Sequence, residues 1–343
     1  MINLQSMITR AAGLNPAGVA TRFMGREHSW SQVENRIARF AAALGALGLK
    51  DGDRVAILSL NSDRYYESVF AIPWAGLCMV PLNTRWALAE NSYALSDSRT
   101  KVLLFDDAFM DQAGRLLFEI DDLSTAIYLG DNECPEWAES SEALIASKKP
   151  AAPSSRGGDD MAGIFYTGGT TGFPKGVMQS HRAIWASAIG AIPEFQMTQE
   201  SRYLHVAPMF HMADFAGSMG ATLRAASNII LASFDAAQTL EAFAVEGVTH
   251  TLIVPSMIKM LLNHPDSVTT DCSRLEVVIY GASPMPKATL QQFMERWPEV
   301  GLAQAYGQTE LAPIATMLSV LDHRIGGERL HSAGRPTPVG DIR

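Results

Sequence analysis

Tyr166-Thr167-Gly168-Gly169-Thr170-Thr171-Gly172-Phe173-Pro174-Lys175-Gly176-Val177 is the stretch on which the reading of this chain turns. It follows a strand-like run, Ala162 to Tyr166, and Ser180 is placed to cap a helix soon after. Glycines let backbone N–H groups approach and curve around an anion. Thr170 and Thr171 add hydroxyl donors, and Lys175 adds a point charge suited to phosphate oxygens. Chemically the string is a phosphate cradle. It is not a Walker A loop, because Pro174 precedes the lysine and Gly176 follows it, where that pattern needs glycine and then serine or threonine. The plainer reading is a glycine-rich turn with an exposed lysine.

Working outward, helices alternate with short apolar runs on both sides of this loop. Val33, Ile37, Phe40, Ala41, Leu44 and Leu47 recur at helical spacing between Ser29 and Leu49, with Ser29 and Gln32 in capping-box positions. Strand-like runs follow at Val55 to Leu60, Cys78 to Leu82 and Val102 to Phe105, separated by helical Asp63 to Gly76 and Ala89 to Leu95. Beyond the loop the strand-like runs are Tyr203 to Val206, Asn228 to Leu231, Thr251 to Val254 and Leu275 to Tyr280. Helical runs lie at Ala183 to Ala191, Ala236 to Glu246, Met257 to Asn263 and Lys287 to Arg296. This alternation predicts an α/β fold with mostly parallel sheets and helices on their faces. Glu133 to Asp160, rich in proline, lysine and serine, reads as a connector between halves 1–150 and 151–343.

Composition restricts the function classes. The chain has 343 residues, 47% hydrophobic, with a formal net charge of -9. The acidic balance argues against a nucleic-acid binder but leaves room for a local cationic spot. Three dispersed cysteines, Cys78, Cys134 and Cys272, fit a reduced cytoplasmic protein better than a disulfide scaffold. No apolar run is long enough for an integral membrane segment, and Met1 to Arg10 lacks a signal-peptide core.

Four further motifs stand in order after the loop: Pro208-Met209-Phe210-His211, Tyr280-Gly281-Ala282-Ser283-Pro284-Met285-Pro286, Ala305-Tyr306-Gly307-Gln308-Thr309-Glu310 and Ser332-Ala333-Gly334-Arg335-Pro336. Together with the loop they resemble the adenylate-forming superfamily, which includes acyl-CoA synthetases, luciferases and peptide-synthetase adenylation domains. Gly52-Asp53-Arg54-Val55 and Val80-Pro81-Leu82-Asn83 also fit, so the resemblance runs over nearly the whole chain. Gly168 stands where many members carry serine. The resemblance implies the large N-terminal domain of an ATP-dependent carboxylate–CoA ligase, with layered, mostly parallel sheets and a smaller β subdomain.

The same resemblance implies roles residue by residue. Thr167 to Gly172 and Lys175 would bind the nucleotide phosphates. Gly281, Ala282 and Ser283 would lie along adenine and ribose, and Tyr306 would stack on adenine within the segment Ala305, Gly307, Gln308 and Thr309. Thr309 would donate to the α-phosphate, Glu310 would ligate Mg²⁺, and His211 would stand near the carboxylate of the acid. The acid pocket would draw on His211, Met212, Asp214, Phe215, Val254, Pro255, Gly281 and Gly307, an apolar set that suits a fatty, aryl or arylalkenoic acid. Asp214 is the one residue of that set able to hold an ammonium group. Taken singly, each role has a plainer rival: Tyr306 as a core aromatic, Glu310 as a helix-start acid, Ser283-Pro284 as an ordinary turn, His211 as a packed core histidine or half of a metal pair with Asp214.

In the resembling family the domain continues into a ribose-binding aspartate, a hinge arginine and a small C-terminal domain with a catalytic lysine, none of which precedes Arg343. The implied reaction uses ATP, Mg²⁺, a small carboxylic acid and CoA, and this stretch alone is expected to bind substrates with little complete activity. The rivals are an adenylation domain that loads a carrier protein and a non-catalytic nucleotide- or acid-binding module. Homodimeric assembly is common among soluble enzymes and stays open here.

Overall fold

The computed structural model describes residues 2–168 and 172–342. The elements of the first half are α1 (Gln5–Leu14), β1 (Val19–Phe23), β2 (Arg26–Ser29), α2 (Trp30–Gly45), β3 (Arg54–Leu58), α3 (Asp63–Trp74), β4 (Cys78–Pro81) and α4 (Leu88–Asp97). They continue as β5 (Thr100–Phe105), α5 (Met110–Glu119), β6 (Thr125–Tyr128), β7 (Glu139–Ser140), α6 (Ser141–Ser147), β8 (Met161–Thr167), β9 (Lys175–Ser180) and α7 (His181–Phe195). The rest are β10 (Arg202–His205), α8 (Met212–Arg224), β11 (Ser227–Ile230), α9 (Ala236–Val245), β12 (His250–Ile253) and α10 (Pro255–Asn263). Last come β13 (Val277–Gly281), α11 (Lys287–Arg296), β14 (Gly301–Gly307), β15 (Ile314–Leu318), α12 (Val320–Ile325) and β16 (Arg335–Pro336).

The chain divides into two compact units, one made of residues 1–16 and 30–183, the other of 17–29 and 184–343. The expected division at 150 therefore moves. β4 pairs in parallel with β8, and β8 pairs antiparallel with β9, so residues 161–180 complete the first unit's sheet. The stretch 133–160 is also more than a connector, since it holds β7 and α6, whose N-cap Ser140 accepts from the Ala143 N–H. The described strands fall into two sheets, and the smaller β subdomain does not occur among them as a separate sheet.

The first unit carries the order β7-β6-β5-β3-β4-β8-β9. Ala56, Leu58, Val80, Leu103 and Phe105 of its central strands pack one core with Leu95 and Leu116 of the covering helices. The second unit carries β16-β15-β14-β13-β12-β10-β11-β1-β2, parallel from β14 through β1 and antiparallel at both ends. Its central strands are buried on both faces. In β13, Val278 and Tyr280 point into one apolar cluster while Val277 and Ile279 point into another. Burial on two sides is why these strands read as unbroken apolar runs rather than alternating ones. No described helix is long and apolar enough to cross a membrane.

His181, at the start of α7, is buried, and the Leu4 N–H donates to its Nδ1 at 3.3 Å. Accepting that bond requires the neutral ring. Burial, helped by the charge of Arg156 and opposed by Asp160, pushes its pKa down to about 4. The unfolded chain binds the proton nearer pH 6.5, so between pH 6.5 and about 4 the unfolded state holds more protons and stability falls as pH falls. The expected loss is about 2–3 kcal/mol across that window, complete near the lower end and absent above it. Urea titrations at stepped pH check this, and His181→Gln, which keeps an acceptor but does not titrate, should flatten the curve.

Candidate active site

The glycine-rich loop of residues 166–177 belongs to the first unit. Tyr166 ends the run of β8 before Thr167, and Thr167 pairs with Lys175 at the start of β9. The chain thus enters and leaves the loop by two antiparallel strands, β8 and β9. Its two sides are held by one helix, α4. The Tyr166 hydroxyl donates to Asp97 Oδ2 at 2.6 Å, and Phe173 stacks on Tyr93 with ring centroids 4.7 Å apart. Neither Tyr93 nor Asp97 carries a motif that sequence reading could single out. Gly172 has φ 139°, which only glycine adopts readily. Gly168 is different: a Cβ there would meet nothing within 4 Å, so the serine common in the resembling family fits without strain. Lys175 is exposed and forms no ion pair among the described residues. Gly169, Thr170 and Thr171 lie outside the described residues. After β9, Ser180 caps α7 as its position predicts, accepting from the Ala183 N–H at 3.1 Å.

The remaining motifs belong to the second unit, and its sheet brings them to one edge. β10, β12, β13 and β14 run parallel, so their carboxyl ends share a side. There the chain places the turn 206–211 after β10, Val254-Pro255-Ser256 after β12, Gly281-Ala282-Ser283 at the end of β13 and Tyr306 to Glu310 at the end of β14. Ligands of open α/β sheets bind outside the carboxyl ends of the strands. Gly281 pairs with Ala305 across β13 and β14, which makes the motifs at their ends neighbours. That approach needs glycine, because a Cβ on Gly281 would lie 2.2 Å from the Ala305 carbonyl oxygen. The next residue, Ala282, is exposed and left-handed at φ 63°, a conformation L-residues adopt at a cost of about 1 kcal/mol.

Exposure separates the rival readings of single residues. Tyr306 is 55% exposed, so it is not a core aromatic. Glu310 is exposed in a short 3-10 turn, Thr309–Leu311, and forms no ion pair among the described residues. Ala282, Ser283 and Gln308 are also exposed. His211 is exposed at the N-cap of α8, against the Phe210 ring at 4.3 Å, which removes the packed-core alternative.

The pocket assignments fare less evenly. Gly307 is exposed and Val254 half-buried, whereas Met212, Phe215, Pro255 and Gly281 are buried. Asp214 is corrected outright. Its side chain has no exposed surface and lies at 2.7 Å from His205 Nδ1, with the Tyr203 hydroxyl donating to its other oxygen at 3.3 Å. A carboxylate so engaged is a core residue of α8, not a wall of the acid pocket, and it is not placed to meet a substrate ammonium or to share a metal with His211. No group of three or more His, Cys, Asp or Glu suited to a metal occurs among the described residues. Glu310, exposed at the carboxyl edge, is an oxygen donor of the kind Mg²⁺ takes beside substrate phosphates.

A model of the AMP-binding enzyme family matches residues 8–343. The chain belongs to this AMP-binding family. Among curated members it is 32% identical to feruloyl-CoA synthase of an Amycolatopsis species, over 99% of this chain and 65% of that protein. It is 33% identical to the medium/long-chain-fatty-acid–CoA ligase FadD8 of Mycobacterium tuberculosis, over 89% of this chain and 54% of that protein. The chain thus spans about two thirds or less of the length of these relatives. The inhibitor-bound N-terminal domain of FACL13 from Mycobacterium tuberculosis superposes with a TM-score of 0.88 at 28% identity, covering 98% of this chain and 83% of that one. The AMP-binding family fold is therefore that of a large N-terminal domain, as the motif order implies.

Proposed function

We propose that this AMP-binding family chain carries the substrate-binding part of an ATP-dependent carboxylate–CoA ligase. The observation that carries the reading is the meeting of Gly281-Ala282-Ser283, Tyr306 to Glu310 and the His211 turn at one carboxyl edge of a parallel sheet, with Tyr306, Glu310 and His211 all exposed. In the first step a carboxylate oxygen attacks the α-phosphorus of ATP and the bond to pyrophosphate breaks, leaving an acyl-adenylate. In the second the CoA sulfur attacks the acyl carbon and AMP leaves. Both first-step reactants are anions, so positioning and charge neutralisation supply most of the rate.

The residues divide that work. The Tyr306 ring offers a face for adenine, and the glycine-dependent approach at Gly281 leaves the backbone bare beside it. The Thr309 hydroxyl donates to the α-phosphate, and Lys175, with the hydroxyls of Thr170 and Thr171, neutralises β- and γ-phosphate oxygens. Glu310 would hold Mg²⁺, which supplies charge neutralisation on the phosphates when bound. His211 stands toward the acid carboxylate. The acids in view are fatty, aryl or arylalkenoic, because Asp214 is not available to pair with an amino group and the relatives are named for ferulate and fatty acids.

Labelled pyrophosphate exchange into ATP, run with short, medium and long fatty acids beside benzoate and cinnamate derivatives, tests the reading. ATP binding by residues 1–343 with acid-dependent exchange is expected; ATP binding without exchange would favour a binding module. Thioester assays with CoA against carrier protein separate the two thiol acceptors.

Tyr306→Ala should leave the unfolding free energy within about 0.5 kcal/mol of the parent, since the ring is mostly in solvent. It should weaken ATP binding by about 1–3 kcal/mol, the value of a base stacked on an aromatic ring. Lys175→Ala should weaken ATP binding by about 1.5–3 kcal/mol, roughly 10- to 150-fold, through loss of a charge-assisted contact. Calorimetric titration with ATP and Mg²⁺ reads both, and an unchanged affinity in the lysine variant would make Lys175 an ordinary surface residue.

A further inference from the structure

Behind the His211 turn runs a chain of polar side chains, Tyr203, His205, Asp214 and Asn228, none with any exposed surface. Its geometry fixes the donors. The Asn228 amide nitrogen donates to the Ala20 carbonyl at 2.9 Å, so the Asn228 carbonyl oxygen is the atom that faces His205 Nε2 at 3.0 Å. Nε2 must therefore carry a proton. On the other side, Asp214 Oδ1 accepts from the Tyr203 hydroxyl and Oδ2 lies 2.7 Å from His205 Nδ1. One proton lies between Nδ1 and Oδ2, so His205 and Asp214 form a buried pair, neutral as a unit and hydrogen-bonded on every side described.

Such a pair is a poor way to gain stability, because apolar residues of the same volume commonly do as well. What it does is geometric. It ties the end of β10 to the first turn of α8, closing the base of the turn 206–211 that carries His211. The top of that turn is held by the His211 N–H donating to the Pro208 carbonyl at 3.0 Å. The helix is also drawn close to the strand: a Cβ on Gly217 would lie 2.1 Å from the Tyr203 hydroxyl, so glycine is needed for that hydroxyl to reach Asp214.

We propose that the His205–Asp214 pair is a positioning device that fixes the direction in which His211 is presented at the carboxyl edge of the sheet. Its functional consequence rests on the ligase reading; its structural content does not. Residues that hold a working group in place without touching substrate act through that group's orientation, and small misplacements cost on the order of 10- to 100-fold.

Histidine ring ¹⁵N–¹H NMR on the folded chain, with calorimetric binding of ATP and of decanoyl-sulfamoyl-adenosine, tests it. In the parent protein His205 Nε2 is expected to carry a proton. Asp214→Ala should move the His211 ring resonances and weaken the decanoyl probe about 10-fold or more while ATP affinity stays within about twofold. Asp214→Asn should restore parent-like His211 resonances, because its amide can donate to the Nδ1 of a neutral ring and keep the tie. Unmoved His211 resonances in folded Asp214→Ala would overturn the proposal, as a purely stabilising pair predicts. If that variant does not fold, Tyr203→Phe takes its place: a smaller displacement of His211 supports the device and an unmoved ring overturns it. A parent chain that ignores the decanoyl probe while His211 still shifts on Asp214→Ala would sink the ligase reading and leave the positioning role standing.

Discussion

Glu310→Ala is expected to lower Mg²⁺-dependent, acid-dependent pyrophosphate exchange by about 10²–10³-fold if the proposed ligase function holds, the range seen when one preorganised electrostatic contact to a transition state is removed. The fold should not change. Glu310 is exposed, sits in a short turn and forms no ion pair among the described residues, so no packing or buried charge is disturbed. The expectation follows from charge. ATP brings several negative oxygens to a carboxylate nucleophile, and a chain of net charge -9 needs local cations there. In the proposed site Lys175 would be one, and an ion held by Glu310 another. Exchange assays at stepped Mg²⁺, with circular dichroism to confirm folding, give the answer. A variant as active as the parent at low Mg²⁺ removes the metal role from Glu310.

The second large effect concerns Gly307. A Cβ there would lie 1.8 Å from the Pro313 carbonyl oxygen, 2.8 Å from its carbon and 3.2 Å from the Ala315 nitrogen, all backbone atoms. No side chain can turn aside, so β15 must move off β14. The ladder is already irregular at this point, with a register shift between Tyr306 and Gly307, and the Gln308 N–H donates to the Pro313 carbonyl at 3.0 Å. Gly307→Ala is expected to cost about 3 kcal/mol, from overpacking at about 1–3 kcal/mol and one or two lost hydrogen bonds at about 1 kcal/mol each. It should also displace Tyr306 and Thr309 and so abolish measurable ATP affinity. Gly168→Ser is the contrasting glycine, where open space predicts a stability change within about 0.5 kcal/mol. Urea denaturation of the pair separates a glycine required by close approach from one that is not.

The two-sided burial of the central strands made much of the fold readable, because runs such as Thr251 to Val254 and Leu275 to Tyr280 are unbroken only when both faces are covered. The hairpin Val19–Phe23 and Arg26–Ser29 escaped notice. Its second strand is polar, and Thr21 pairs with Asn228, a partner that local pattern cannot reveal. The helix Met212–Arg224 was hidden by Gly217 and Gly220, which weaken a helical pattern; Gly217 is there to let it approach Tyr203 of β10. The strand Lys175–Ser180 was missed for a related reason, since lysine, glycine, glutamine and serine give it little β character away from its partner β8.

The motifs proposed for the site are legible where their chemistry is local. Glycines that permit backbone approach, an exposed tyrosine and a lone acid all sit inside short strings whose order survives in the fold. Asp214 was misread because sequence shows a charge next to a histidine motif but not the direction of the side chain. Only the tertiary structure shows it turned inward to His205, at 0% exposure. Tyr93 and Asp97, which hold Phe173 and Tyr166 on either side of the glycine-rich loop, carry no signal in one sequence because their importance lies wholly in what folds against them.

Amide hydrogen exchange read by mass spectrometry on residues 1–343, with and without ATP and Mg²⁺, tests the central claim that the nucleotide binds these motifs. The predicted result is protection concentrated in peptides covering 167–176, 281–283 and 305–310, and weakened by Tyr306→Ala. Absence of protection there, or protection confined to other segments at saturating ATP, would contradict it.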